Sequence, residues 1–163
     1  MMKWYYISPL LMFFLVLLIQ TTAVPLISIA SVIPDIILIA LVYYSITRGQ
    51  LYGTLLGAVY GLLIDLITGS LLGSLMLSKT LAGFTAGYFA GETKKENNIR
   101  TYYFSLIVFS CSVVDDVVFS FFSVFDLQTN LFTLLFEHAL LPSLYTATIS
   151  ILFIFSPFRR RKF

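Results

Sequence analysis

Four ionisable side chains lie inside otherwise apolar stretches of this chain: Asp65, Lys79, Asp115 and Asp116. An ionised group near mid-bilayer costs at least about 2.5–3.5 kcal/mol on insertion scales, so such groups either pair or serve a function. Three acids and one base in the outer half of neighbouring spans predict an intramembrane polar cluster. Lys79 is the only cation there, and its expected partner is Asp65 or one of the Asp115–Asp116 pair. Adjacent residues differ by about 100° around a helix, so the two aspartates cannot face inward equally. One of them points to a neighbour or stays protonated. Three readings of the cluster are open: structural ion-pair glue, a contact to a partner or ligand, and a proton or ion path.

The other reactive residue types are isolated. His138 follows Glu137, which offers two metal ligands at most with no companion Cys or His, so no metal site is expected. Cys111 is the single cysteine and cannot form an internal disulfide. Ser78 and Lys79 have the residue types of a Ser–Lys dyad, but direct neighbours on a helix diverge. There is no His–Ser–Asp set and no Gly-rich nucleotide loop. The expectation is a protein without catalytic residues, metal or cofactor.

A second kind of pattern is steric. Gly53, Gly57 and Gly61 are spaced by four, and so are Gly83, Gly87 and Gly91. That spacing puts each set on one face of a helix. Helices in lipid gain little from burying apolar faces, and small residues let their backbones approach closely. Each stripe reads as an intramolecular packing face or as a docking surface for another protein's membrane helix, and both readings can hold at once.

The elements that must position these residues follow from hydropathy. Hydrophobic residues make up 59% of the chain and charged residues 11%, whereas a soluble domain has about 25% charged residues. Six apolar spans fill the chain, at about 4–24, 35–47, 51–67, 74–91, 101–125 and 139–157. They predict one all-α, polytopic membrane domain over 1–163, a bundle of six transmembrane helices. With alternating connections, Lys3, Arg48, Lys94, Lys95, Arg100, Arg159, Arg160, Arg161 and Lys162 fall on one side, nine of the ten Lys and Arg residues. Basic residues are retained on the cytoplasmic face, which places both termini there. Trp4, Tyr5 and Tyr6 suit an interfacial belt. Pro34 suits a first helical turn and Asp35 complements its dipole. Lys3, the apolar run and Thr21-Thr22-Ala23 imitate a signal peptide, but the run is long enough to span and its removal would undo the charge alternation. The Arg159–Lys162 cluster reads as a cytoplasmic anchor touching anionic lipid rather than a nucleic-acid patch.

One segment resembles a known family. Pro34-Asp35 opens a span; a Gly-rich span follows and ends in Gly61-Leu-Leu-Ile-Asp65-Leu-Ile-Thr-Gly69-Ser-Leu-Leu-Gly73. This is similar to the MreD family of bacterial rod-shape-determining membrane proteins. Length, six-span layout and basic tail agree, and Asp115-Asp116 resembles the acidic residue often found in that family's fifth span. The resemblance implies a non-enzymatic scaffold of lateral cell-wall elongation in the inner membrane. It implies MreC as direct partner, with MreB, RodA and a class B penicillin-binding transpeptidase in the wider complex. It also implies a six-helix layout shared with the substrate-binding subunits of energy-coupling-factor transporters. The competing reading is such a small-molecule-binding subunit. Those subunits usually carry an Ala-xxx-Ala face on their first span, and Leu10–Gln20 here lacks one.

Overall fold

A computed structural model describes residues 2–22, 33–91, 102–123 and 139–155, and among these the chain forms six helices and no strand. They are α1 (Met2–Thr22), α2 (Ile36–Arg48), α3 (Gln50–Thr68), α4 (Ser74–Gly87), α5 (Tyr103–Ser123) and α6 (Leu141–Phe155). The connection at 92–100, the segment 126–138 with Glu137 and His138, most of the 25–34 connection and the tail with Arg159–Lys162 lie outside the described residues.

Long apolar runs make the helices, with Pro9 inside α1 and the small glycines inside α3 and α4, and a glycine ends each of α2 and α3. Gly49 takes φ +100 between α2 and α3 and donates its N–H to the Ser45 carbonyl. Gly69 adopts the left-handed conformation that closes α3, its N–H bonded to the Asp65 carbonyl. A residue with a Cβ would be strained at either position. Two helices, Gln50–Thr68 and Tyr103–Phe122, are long and apolar enough to cross a membrane; Leu11–Thr22 and Ile36–Arg48 are shorter apolar helices. The 13 residues of α2 rise only about 20 Å at 1.5 Å each, against a hydrocarbon core of about 30 Å.

Two expectations need correction. The fourth span was expected to reach 91, but α4 stops at Gly87, where Tyr88 and Phe89 donate to carbonyls only three residues back. That tightening is the usual way a helix ends, and it leaves Gly91 outside the helical stripe. Pro34 was expected in the first turn of the second span. The helix instead begins at Ile36 with Asp35 as its N-cap, so Pro34 sits one residue before the cap.

The bundle is organised around α2, which touches all five other helices and buries eight of its 13 residues. Leu38, Leu41, Val42, Tyr60, Ala82, Ala86, Phe104 and Val108 make the core. Tyr60 fastens α3 to α1: its ring stacks on Phe13 at 4.5 Å, and its hydroxyl donates to the Pro9 carbonyl at 2.6 Å. The outer surface is apolar, with Leu51 79% exposed and Leu55, Leu66 and Phe121 also exposed. Lys79, Asp65, Asp115, Ser45, Ser78, Ser143 and Ser150 are buried. Polar groups inside and leucines outside suit a hydrocarbon solvent.

Candidate functional site

The glycines meet across the α3–α4 contact, the most extensive helix pair in the bundle. A Cβ on Gly53 would lie 2.8 Å from the Gly83 carbonyl oxygen, and one on Gly57 would lie 2.8 Å from the Lys79 carbonyl carbon. At Gly61 the obstacle is the Leu75 backbone at 2.6 Å, and at Gly87 the Gln50 side chain at 2.7 Å. The pairing runs antiparallel, so one continuous backbone-to-backbone seam joins the two helices. Even one methyl group would overlap main-chain atoms, which cannot yield as a flexible side chain does.

The turn after α3 is held by Asp65, whose carboxylate accepts from Ser70 Oγ at 2.7 Å and from the backbone N–H groups of Gly73 (2.9 Å), Leu75 (3.2 Å) and Met76 (3.1 Å). A helix N-terminus leaves its first N–H groups without internal partners. The N-cap of α4 is Gly73, which has no side chain to cap them. Asp65 supplies the cap from the preceding helix, and its negative charge suits the positive end of the α4 dipole.

Lys79 is therefore left to other acids. Its ammonium bridges Asp35 Oδ2, on the N-cap of α2, and Asp115 Oδ2, on α5. The Lys79 side chain is 3% exposed, Asp115 5% and Asp35 27%, so the cluster opens toward one end of the bundle through Asp35. Asp35 Oδ1 also accepts the Leu38 N–H at 2.9 Å, closing the first turn of α2. The Asp35 N–H donates to Thr146 Oγ on α6 at 3.1 Å. Beside it, the Gln20 amide of α1 clamps the same backbone, donating to the Pro34 carbonyl (2.8 Å) and accepting the Ile36 N–H (3.0 Å). Five helices are thus tied within a few residues of Asp35. Removing one member of a buried ion pair costs about 3–5 kcal/mol, because the remaining charge is stranded.

Of the residues singled out by sequence, Lys79 and Asp115 touch. Asp116 lies one position away and takes a hydrogen bond from Ser112 Oγ at 3.3 Å. Asp65 is engaged elsewhere, and its expected pairing with Lys79 gives way to its role as a cap. Asp35, read from sequence only as a helix-end charge, is the missed member. Its depth was the available signal: Asp35 opens α2 at the end of the bundle from which Lys79 lies little more than a turn inside α4. Gln20 and Thr146 carried no distinguishing signal, being ordinary polar residues near helix ends.

Asp35, the glycine face of α3 and the capped Gly-Ser-Leu-Leu-Gly turn thus occupy the segment whose motifs carry the family resemblance, and their partners Lys79, Gly83 and Asp115 follow it in the chain. Compared with known families, the chain matches the one described as rod shape-determining protein MreD over residues 1–159. The chain belongs to the MreD family. No curated protein and no solved structure matches it. Membership of the MreD family brings a role in rod-shape determination and association with the membrane, consistent with the two membrane-length helices and the apolar outer surface. Among the described residues of this MreD-family chain, no group of three His, Cys, Asp or Glu is arranged to hold a metal ion.

Proposed function

We propose that this MreD-family chain is a non-enzymatic scaffold of the bacterial elongation complex that binds MreC directly and helps position lateral peptidoglycan synthesis. In this reading all six helices cross the inner membrane in the layout of energy-coupling-factor substrate-binding subunits, with both termini in the cytoplasm. MreB, RodA and a class B penicillin-binding transpeptidase belong to the wider complex. The family match over residues 1–159 carries the reading, because it spans the bundle rather than one motif. The chemistry of the interior agrees with a structural part. Lys79, Asp35 and Asp115 are spent on one another and Asp65 on a helix end, while the surface offers leucines to a neighbouring membrane helix.

The test is co-purification. The tagged chain, expressed with MreC and extracted in mild detergent, should retain MreC, and retention should fall to background when the MreC membrane segment is exchanged for an unrelated span. Retention no better than that of an unrelated single-span protein would remove MreC as the direct partner. A cysteine added after Phe163 should stay unlabelled by an impermeant reagent in intact cells; labelling from outside would overturn the orientation.

A further inference from the structure

The hairpin of α3 and α4 is too short to carry its turn across the full width of a membrane. Arg48 marks the level from which it starts. Its guanidinium lies over the rings of Tyr44 (5.1 Å) and Tyr52 (4.8 Å) and donates to the Tyr52 hydroxyl at 2.6 Å. A cation among tyrosines at a helix end is the chemistry of a membrane–water boundary. Gln50 opens α3 just past Arg48, and Gly87 ends α4 against it. From that level the 14 residues of α4 rise about 21 Å at 1.5 Å each, against about 30 Å for the hydrocarbon core. The longer α3 overhangs its partner, because Gly61 is already level with Leu75 and Met76 in the first turn of α4. The chain folds back through Gly69–Gly73, so Leu72, next to the α4 N-cap Gly73, stands at the height where α4 begins. That height is roughly 9 Å inside the far boundary of the hydrocarbon, and any tilt of the helices sinks it further.

The chemistry of the turn fits that depth independently of the helix lengths. Turns that face water carry polar residues outward. Here Leu71 and Leu72 are 70% and 73% exposed, and they continue the apolar outer face of Leu62 and Leu66 on α3 and Leu77 on α4. The polar groups point inward instead. The fully buried Asp65 collects the Ser70 hydroxyl and the N–H groups of Gly73, Leu75 and Met76. Thr68 Oγ donates to the Ile64 carbonyl at 2.8 Å, and the Ser74 N–H donates to the Leu71 carbonyl at 3.0 Å. Backbone placed in hydrocarbon must find its hydrogen bonds within the protein, since no water is there to supply them.

We propose that the α3–α4 turn is a submerged tip, with Leu71 and Leu72 seated among the lipid acyl chains of the leaflet opposite Arg48, the outer leaflet in the orientation proposed above. This rests on the membrane-bundle reading. Asp65 is what makes such a turn tolerable in lipid, because it answers amides that water would otherwise serve.

Nitroxide labelling of the full chain in phospholipid nanodiscs tests the tip. Cys111 is the single cysteine, so a Cys111→Ser background carries one label at Leu72→Cys. A second protein carries it at Leu55→Cys, on the exposed face of α3 well away from the turn. Collision with oxygen reports lipid, and collision with a water-soluble nickel chelate reports water. The Leu72 label should collide more with oxygen than with nickel, as the Leu55 label should. Nickel access at Leu72 but not at Leu55 would overturn the submerged tip and leave the membrane reading standing. Nickel access at both would overturn that reading and the tip with it. A Leu72 label shielded from both probes would mean that another protein surface covers the turn, and lipid would be the wrong occupant. Trp4 is the single tryptophan, so Leu72→Trp with Trp4→Phe gives an independent measurement. Its fluorescence should be quenched more by lipids brominated along their acyl chains than by iodide in the buffer, and the reverse order would overturn the proposal.

Discussion

The glycine seam and the charge cluster both run through α4, and they hold their partners by opposite means. The α3–α4 seam works because side chains are missing: Gly53, Gly57, Gly61, Gly83 and Gly87 let main chains touch. The cluster works because one long side chain is present and finds two carboxylates. Lys79 belongs to both. Its carbonyl is what Gly57 packs against, and its ammonium bridges Asp35 and Asp115. The seam therefore sets the depth and rotation at which the charge is presented. Contacts made by absence fail with added volume and are indifferent to charge. Contacts made by charge fail with a near-isosteric neutral residue and can be repaired by a second change.

That contrast can be broken at its steric end first. Gly57→Leu should remove the folded population altogether, since the new side chain meets the Lys79 backbone on α4. Size-exclusion of the detergent-extracted protein should show aggregate in place of a monodisperse peak, and neutralising Asp115 should restore nothing. The next largest effect is at the charge. Lys79→Met should lower stability by about 3–5 kcal/mol, as a broken buried pair does. Adding Asp115→Asn should return a substantial part of that loss in reversible denaturation in mixed micelles. If no part returns, the Lys79–Asp115 contact does not contribute as described. Asp65→Ala separates the hairpin cap from the cluster, with an expected loss of roughly 1.5–3 kcal/mol for the charged hydrogen bonds it forfeits. Hydrogen exchange at Gly73, Leu75 and Met76 should rise before exchange in α5 does. The smallest change is Tyr60→Phe, which keeps the stack on Phe13 and removes the bond to Pro9, for about 1 kcal/mol in the same assay.

The helices were legible because hydropathy is a local property. Each apolar run became a helix, with ends displaced by a few residues where turn chemistry decides them, as at Gly87. The spacing of the glycines showed which faces are smooth, since Gly53, Gly57 and Gly61 must align on any helix. Which smooth face met which could not be read, because antiparallel register depends on the turn at Gly69–Gly73. The cluster divided in the same way. A charge inside an apolar run announces burial, which marked Lys79 and Asp115. Its partner is a tertiary fact: Asp65 and Asp35 have the same side chain, and the difference lies in the Gly73 N-terminus, which claims one carboxylate and leaves the other to Lys79. Asp35 also looked accounted for, because a helix cap is already a sufficient reason for an aspartate at that position.

The order of the three linked residues along the chain bears on how the protein is made. Asp35 is synthesised before Lys79, and Asp115 after it. Asp65 is spent on the amides of its own hairpin, and the helix that carries Asp115 is still to be made when α4 is complete. During that interval Asp35 is the one acid of the finished bridge available to Lys79.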